Sequence, residues 1–402
     1  KFETTDTLDV NTTPVGGTGA ADSIIITGDG NNTILGGMGG DTISLKNGVD
    51  TILGDNGFVQ MDAEGNNYAQ VRTLSRVSAG GAIVDLGGND VISVLGGDKV
   101  VLGGDGADTI DLLGAGNHTV LGDNGMVTYV ALGQTGAGRA QKYETTDTLV
   151  STSVGGKAGR DVITVTGDGD NTILGGLGAD DISLKNGTDT VLGDNGVVEL
   201  DVEGNKFAQV KTLSRPSAGG AIVDLGGNDL ITSLSGTKIV LGGDGTDTIR
   251  LGDAGSLATS DHIVLGDNGI VTYVALGLTG AGNVLRYETT DTADAVLTPV
   301  TGTGAGDTIE IRQNGNNTIL GGMGADTITA GAGRQTILGD NCMVQMDAEG
   351  NNYAKAATLS QPSVGTTYGL TTNLGGGDNV TVGAGDVMAL LGDGADTLNA
   401  GI

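Results

Sequence analysis

Six aspartates close nearly the same glycine-rich hexad. The first is Gly36-Gly37-Met38-Gly39-Gly40-Asp41, and counterparts end at Asp108, Asp180, Asp247, Asp326 and Asp396. Five hexads are intact, and the sixth, Leu391-Gly392-Asp393-Gly394-Ala395-Asp396, lacks only its first glycine. A carboxylate in such a turn suits one chemistry well. Ca²⁺ takes six to eight hard oxygens at about 2.3–2.6 Å, and a turn without Cβ atoms lets carbonyl oxygens share the ion with the carboxylate. A single aspartate in a glycine turn is more simply a turn former that bonds nearby backbone. Repetition in phase is what favours a metal.

Asp50, Asp90, Asp189, Asp229 and Asp378 hold the same phase in poorer glycine context and complete the candidate calcium ligands. At Asp22, Asp161 and Asp307 the preceding turn is one residue too long, and Asn32, Asn171 and Asn317 are neutral donors. Lys99 and Lys238 place a cation where a ligand should be, while Gln335, His118 and His262 also depart from the pattern. Short rows of calcium sites broken by structural turns are therefore expected. Leu-Gly-Asp-Asn recurs from Leu53, Leu121, Leu192, Leu265 and Leu338. Its aspartates (Asp55, Asp123, Asp194, Asp267, Asp340) precede a different kind of segment, and a coil-terminating turn is the favoured reading.

The turns need a scaffold of matching period. Two residues after the successive polar positions Asp22, Asn32, Asp41 and Asp50 stand Ile24, Ile34, Ile43 and Ile52, at intervals of nine or ten. The next half-module gives Ile92, Val101, Ile110 and Val120. One buried aliphatic per nine residues, between glycine turns, is too sparse for an amphipathic helix. It fits half a coil of a parallel β-solenoid, whose identical inward positions stack about 4.8 Å apart.

The segment Gly36 to Ser44 satisfies G-G-x-G-x-D-x-U-x at every defined position, U being a large aliphatic residue. It resembles the repeats-in-toxin (RTX) calcium-binding nonapeptide family, the parallel β-roll. That resemblance implies calcium ions held between hexad turns of adjacent coils, and export in one step on a C-terminal signal. It also admits a second role, as the calcium-dependent secretion and folding segment of a larger exported enzyme or toxin.

Larger periods are nested over the small one. Glu3-Thr4-Thr5-Asp6-Thr7 returns at Glu144 and Glu288, so a module recurs every 141 to 144 residues and contains two related halves. After each Leu-Gly-Asp-Asn the period changes to two. Phe58 to Asp62 and Tyr68 to Leu74 flank Glu64-Gly65-Asn66 and read as an antiparallel hairpin, with a longer version between Met126 and Thr146. The expected layout is an all-β, elongated rod of short coil stacks interrupted by hairpins. Residues 1–13 return from a preceding hairpin, 14–154 and 155–298 are whole modules, and 299–402 an incomplete third. Both ends fall inside a module, as expected of a window on a longer array or of one protomer in a continuous fibre. Partners are then neighbouring modules or identical chains in a filament, with cell-surface or matrix glycans as an open class.

Composition narrows the function. There are 77 glycines, 4 prolines, no tryptophan and 2 % aromatics, so the core must be aliphatic. Forty-nine acidic against 19 basic residues give a net charge of −30, which argues against nucleic-acid and anionic-membrane partners. No apolar run is long enough to cross a membrane as a helix. The acidity sits in the turns, so folding should depend on calcium at the millimolar level found outside cells. No constellation of nucleophile, base or zinc helix accompanies His118 and His262, and no enzymatic activity is expected. Cys342, the only cysteine, occupies the place of Gly57, Gly125, Gly196 and Gly269. Threonines such as Thr33, Thr42, Thr51, Thr109 and Thr119 stand at outward positions, which raises ice binding as a minor alternative. The favoured function is structural: a calcium-rigidified segment of a giant secreted bacterial adhesin or matrix protein, as in a biofilm.

Overall fold

Isoleucine and valine in every half-coil set the architecture, because each can be buried only by stacking on its counterpart one coil away. The computed structural model describes residues 1–4, 20–74, 76–77, 83–84, 87–146, 159–213, 215–216, 222–223, 226–253, 258–290, 305–358, 361–362, 371–372 and 375–401. All regular structure among them is β, without a helix. The module boundaries expected at 13–14, 154–155 and 298–299 lie outside the described residues. Two compact units form, Lys1–Lys185 with Asn195–Lys206, and Asn186–Asp194 with Phe207–Ile402.

In the first unit, one face of the solenoid stacks Ser23–Ile25, Thr42–Leu45, Val91–Val94, Thr109–Leu112, Val162–Val165 and Asp181–Asn186 in parallel. The other face stacks Thr33–Gly37, Asp50–Asp55, Lys99–Leu102, Thr119–Leu121 and Thr172–Gly176. Ile24, Ile43, Ile92, Ile110, Ile163 and Ile182 form one unbroken ladder, and Ile34, Ile52, Val101, Val120 and Ile173 the facing one. Ile43, Ile52, Ile92, Val101, Ile110, Val120, Ile163 and Ile173 are fully buried. Such burial contributes about 1.5–3 kcal/mol per side chain.

The second unit repeats this plan. One face runs Leu230–Ser235, Thr248–Leu251, Thr308–Ile311, Thr327–Ala330, Asn379–Ala384, Thr397–Gly401. The other runs Asp189–Asp194, Lys238–Gly243, Ile263–Asp267, Asn317–Gly322, Gln335–Asp340, Val387–Leu390.

The hairpins differ from expectation. They do not divide the solenoid into short stacks, since Val91–Val94 pairs directly with Thr42–Leu45 although a whole hairpin lies between them in sequence. Instead they form a third, antiparallel sheet beside the solenoid. In the first unit it orders Phe2–Glu3, Gly57–Met61, Tyr68–Thr73, Gly125–Tyr129, Ala140–Thr145 and Gly196–Leu200. In the second it orders Phe207–Thr212, Gly269–Tyr273, Val284–Thr289, Cys342–Met346 and Tyr353–Thr358. Isolated two-stranded hairpins are barely stable, so pairing with the next hairpin and packing on the solenoid is how each is held. Val59, Val71, Val127 and Val198 lie in register along one stripe of this sheet and are fully buried.

That sheet also disposes of a threonine face. Thr51 and Thr119 are buried, and the Thr33 hydroxyl lies 3.3 Å from the Tyr68 hydroxyl of the first hairpin. On the uncovered face the stacked outward positions are Thr42, Val91, Thr109, Val162 and Asp181 in the first unit, and Leu230, Thr248, Thr308, Thr327, Asn379 and Thr397 in the second. Cys342 is fully buried at the start of its hairpin, where its N–H donates to Thr289 Oγ1 at 2.9 Å.

Truncation inside the ladder should be costly and truncation outside it should not. Ile110→Ala is expected to lower unfolding free energy by about 2–5 kcal/mol. Val91→Ala, whose side chain is 44 % exposed, should stay within about 0.5 kcal/mol. Denaturant unfolding in calcium buffer measures both.

Candidate metal centre

Every coil makes two turns, and the turns stack into two rows. Row one joins the second face to the first and contains the hexads. Its aspartates sit immediately before the first-face strands, so strand register fixes their place. In the first unit the backbone N–H of Asp22 donates to Asp41 Oδ1 (2.7 Å), Asp41 to Asp90 (2.7 Å), Asp90 to Asp108 (2.8 Å), Asp108 to Asp161 (2.7 Å) and Asp161 to Asp180 (2.8 Å). In the second, Asp229 donates to Asp247 (2.8 Å), then Asp307 (2.7 Å), Asp326 (2.8 Å), Asp378 (2.9 Å) and Asp396 (3.1 Å) follow in the same way.

Each unit thus carries an aspartate at every first-face strand. This is more regular than the broken rows expected from sequence. Asp161 and Asp307 were doubtful because of the length of the turn before them, yet Ile163 pairs with Ile110 and Ile309 with Ile249. The residue two places before a paired isoleucine lands on row one whatever the loop before it does. Of the eleven proposed ligands, Asp41, Asp90, Asp108 and Asp180 share the first unit's row, and Asp229, Asp247, Asp326, Asp378 and Asp396 the second's.

Only one oxygen of each carboxylate is used in this ladder. Oδ2 of Asp41, Asp90, Asp108, Asp161, Asp326 and Asp378 is buried without a hydrogen-bond donor. These oxygens face a lane of glycines. A Cβ at Gly36 would overlap Gly54 O and Asp41 Oδ2, one at Gly103 would overlap Gly122 O and Asp108 Oδ2, and one at Gly321 would overlap Gly339 O and Asp326 Oδ2. Carboxylate and carbonyl oxygens therefore confront each other across the lane, an arrangement that a hard cation resolves, while Gly122 O also accepts the Gly104 N–H at 3.1 Å. No group of three or more His, Cys, Asp or Glu side chains forms a metal cluster by itself among the described residues. Main-chain carbonyls must then supply the remaining donors, as the glycine lane allows. The second hexad glycine is also held at positive φ, 121° at Gly104, where a Cβ would be strained.

Without a compensating cation, burial raises the affinity of these groups for protons. It pushes Asp90 up to about 7, Asp180 to about 8 and Asp378 to about 6, with neighbouring row carboxylates adding to it. Asp108 and Asp326 are driven well above the ordinary range by burial and the adjacent aspartates.

The Leu-Gly-Asp-Asn aspartates take part as well, which the sequence reading missed. Gly37 pairs with Asp55 in register, so Asp55 stands where a hexad has its second glycine. Asp55 Oδ2 accepts the Asp105 N–H of the next hexad at 2.5 Å, while Oδ1 is buried without a donor. Burial and the fields of Asp90 and Asp108 push Asp55 up to about 11. Asp194 and Asp340 repeat this arrangement on Asp244 and Asp393. The turn ends a coil and also adds a carboxylate to row one. The hexad residue it meets lies 50 to 56 residues further on, so no fixed interval in the sequence marks the contact.

Row two is chemically different, and two proposed ligands belong to it. Asp50 and Asp189 do not join the aspartate ladder. Lys99 stacks on Asp50 and Lys238 on Asp189, and each forms a buried ion pair, at 3.1 Å and 2.9 Å. The sequence reading placed these aspartates by phase alone, without the register that brings each lysine onto them. Next in the row, Lys238 N–H donates to His262 Nδ1 at 3.2 Å, and burial together with Lys238 holds His262 down at about 4.

The RTX calcium-binding nonapeptide repeat matches this chain in four copies, over residues 17–52, 85–117, 165–197 and 313–341. The chain carries RTX repeats, folded here as a β-roll flanked by an antiparallel sheet. Such repeats bind calcium ions, several per domain, and occur in secreted bacterial proteins. No curated protein and no solved structure matches the chain.

Two outcomes test the lane. Gly103→Ala should weaken calcium binding, measured by titration calorimetry, whereas Gly28→Ala, with open space around it, should leave it unchanged. The second concerns pH. Between the ordinary carboxyl range near 3.8 and about 7 for Asp90, the calcium-free folded chain binds more protons than the unfolded chain. Its stability must then fall as pH rises through that window. His262 opposes this trend, but it is one group against the row. Chelated protein should keep more of its β-signal in circular dichroism at pH 5 than at pH 8, and a signal that rises with pH would contradict the assignment.

Proposed function

We propose that this calcium-binding repeat chain is a mechanical element of a secreted bacterial surface or extracellular-matrix protein, rigidified by calcium for adhesion or filament assembly. The observation that carries the reading is the aspartate row, with carboxylate oxygens facing glycine carbonyls from coil to coil. Such a row repels itself when the carboxylates are ionised and is neutralised by divalent ions. Stiffness is thereby tied to the millimolar calcium outside cells. Stacked coils and a laterally paired hairpin sheet offer strand edges suited to neighbouring modules or identical chains. No arrangement of side chains for bond-breaking chemistry enters this reading, and the chain itself is proposed to be non-enzymatic.

Removing calcium with chelator should abolish most of the β-signal in circular dichroism, and magnesium should not restore it, because it demands octahedral geometry at about 2.0–2.1 Å. Asp108→Ala or Asp247→Ala should lower calcium affinity. Asp62→Ala should not, since Asp62 accepts the N–H groups of Glu64 and Asn66 and the Asn67 side-chain amide, all within its hairpin turn. A spectrum indifferent to chelator would sink the reading. Electron micrographs of the chain in calcium then separate end-to-end filaments, expected for an assembling element, from dispersed monomers.

A further inference from the structure

Row two presents the opposite polarity to row one. Where row one sets acceptors against acceptors, row two sets side-chain donors against turn carbonyls. Asn32 Nδ2 donates to Gly30 O at 2.7 Å and Asn171 Nδ2 to Gly169 O at 2.9 Å. Lys99 Nζ donates to Gly96 O at 2.7 Å in its own turn and to Gly48 O in the turn beneath, while pairing with Asp50 Oδ2 at 3.1 Å. Lys238 repeats this with Ser235 O at 2.5 Å, Gly187 O at 2.6 Å and Asp189 Oδ2 at 2.9 Å. Both lysines are essentially inaccessible, at 1 % exposure. Each ammonium thus lies between two adjacent turns, held by one carbonyl from each and by a stacked carboxylate. These are hard oxygens of the kind a calcium ion takes between two turns, three of the roughly six to eight it needs.

The third module supplies a natural control. Gln335 occupies the Asp50 position and Val387, which pairs with it in register, the Lys99 position. Acid and base are lost together. The Gln335 amide instead joins its own turn to the one beneath, donating to Gly315 O at 3.0 Å and Gly331 O at 3.2 Å, while the gap above it, which Lys99 fills in the first module, has the apolar Val387. A buried carboxylate left without its lysine would be costly, and a buried lysine without its carboxylate equally so.

We propose that Lys99 and Lys238 are tethered cations occupying inter-turn calcium positions, so that row two is stapled without metal and calcium is confined to row one. Replacing each lysine by aspartate then opens a new divalent-cation site, formed by Asp50 with the Gly48 and Gly96 carbonyls and by Asp189 with the Gly187 and Ser235 carbonyls. This rests on the calcium reading of row one, but its test is separate.

Calcium bound per chain is measured by equilibrium dialysis for three forms of residues 1–402. Lys99→Asp with Lys238→Asp is expected to gain about one ion per lysine replaced and to need calcium for order around those turns. The fourfold variant Asp50→Gln, Lys99→Val, Asp189→Gln, Lys238→Val copies the third module and is expected to fold with the wild-type ion count. An unchanged count in the aspartate variant, or its failure to fold even in calcium, would overturn the proposal, as would extra ions in the fourfold variant. A wild-type chain that binds no calcium would instead strike the reading of row one.

Discussion

A carbonyl oxygen cannot hydrogen-bond to a carboxylate, and row one is built from little else. Its aspartates stack with one oxygen satisfied by the backbone of the neighbouring coil and the other turned toward a lane of glycine carbonyls. The glycines are there because any Cβ would fill the lane, and the strands beside it are aliphatic because nothing else packs into so thin a roll. Cation and proton compete for the same oxygens. The metal requirement, the upward displacement of the carboxyl groups and the glycine content are thus three expressions of one arrangement of acceptors.

The hairpin sheet answers a different problem. Solenoid strands with both faces wet would bury too little apolar surface, and the second face carries Leu53, Leu121 and their counterparts outward as well as isoleucine inward. Covering it with paired hairpins gives those leucines a partner and buries the valine stripe of the hairpins in return. One face of each unit stays uncovered and polar, and the other becomes the middle layer of three.

Much of this was legible in the sequence. The nine-residue period located Ile43, Ile52, Ile92 and Ile110, and the change to a period of two located the strands around Gly65. What could not be read was long-range register. Counting turn lengths made Asp161 and Asp307 doubtful, whereas pairing to strands over 50 residues away places them in the row. The same blindness joined Asp50 and Asp189 to the wrong row, since only stacking reveals the lysine above each. Asp55 was misjudged for a related reason: its role depends on Asp105, in the hexad of the following coil.

The alternation in row two has a bearing on how such a chain can change length. From Asn32 the row reads Asn, Asp, Lys, His, and from Asn171 the same four residues return. Tandem duplication or loss of a half-module would preserve the coil and the aspartate row but strand an acid or a base in the interior. Exchange of a whole module keeps every buried pair intact. The smallest unit that recombination can add or remove without parting a buried lysine from its aspartate is therefore the whole module, twice the repeat of two coils and a hairpin.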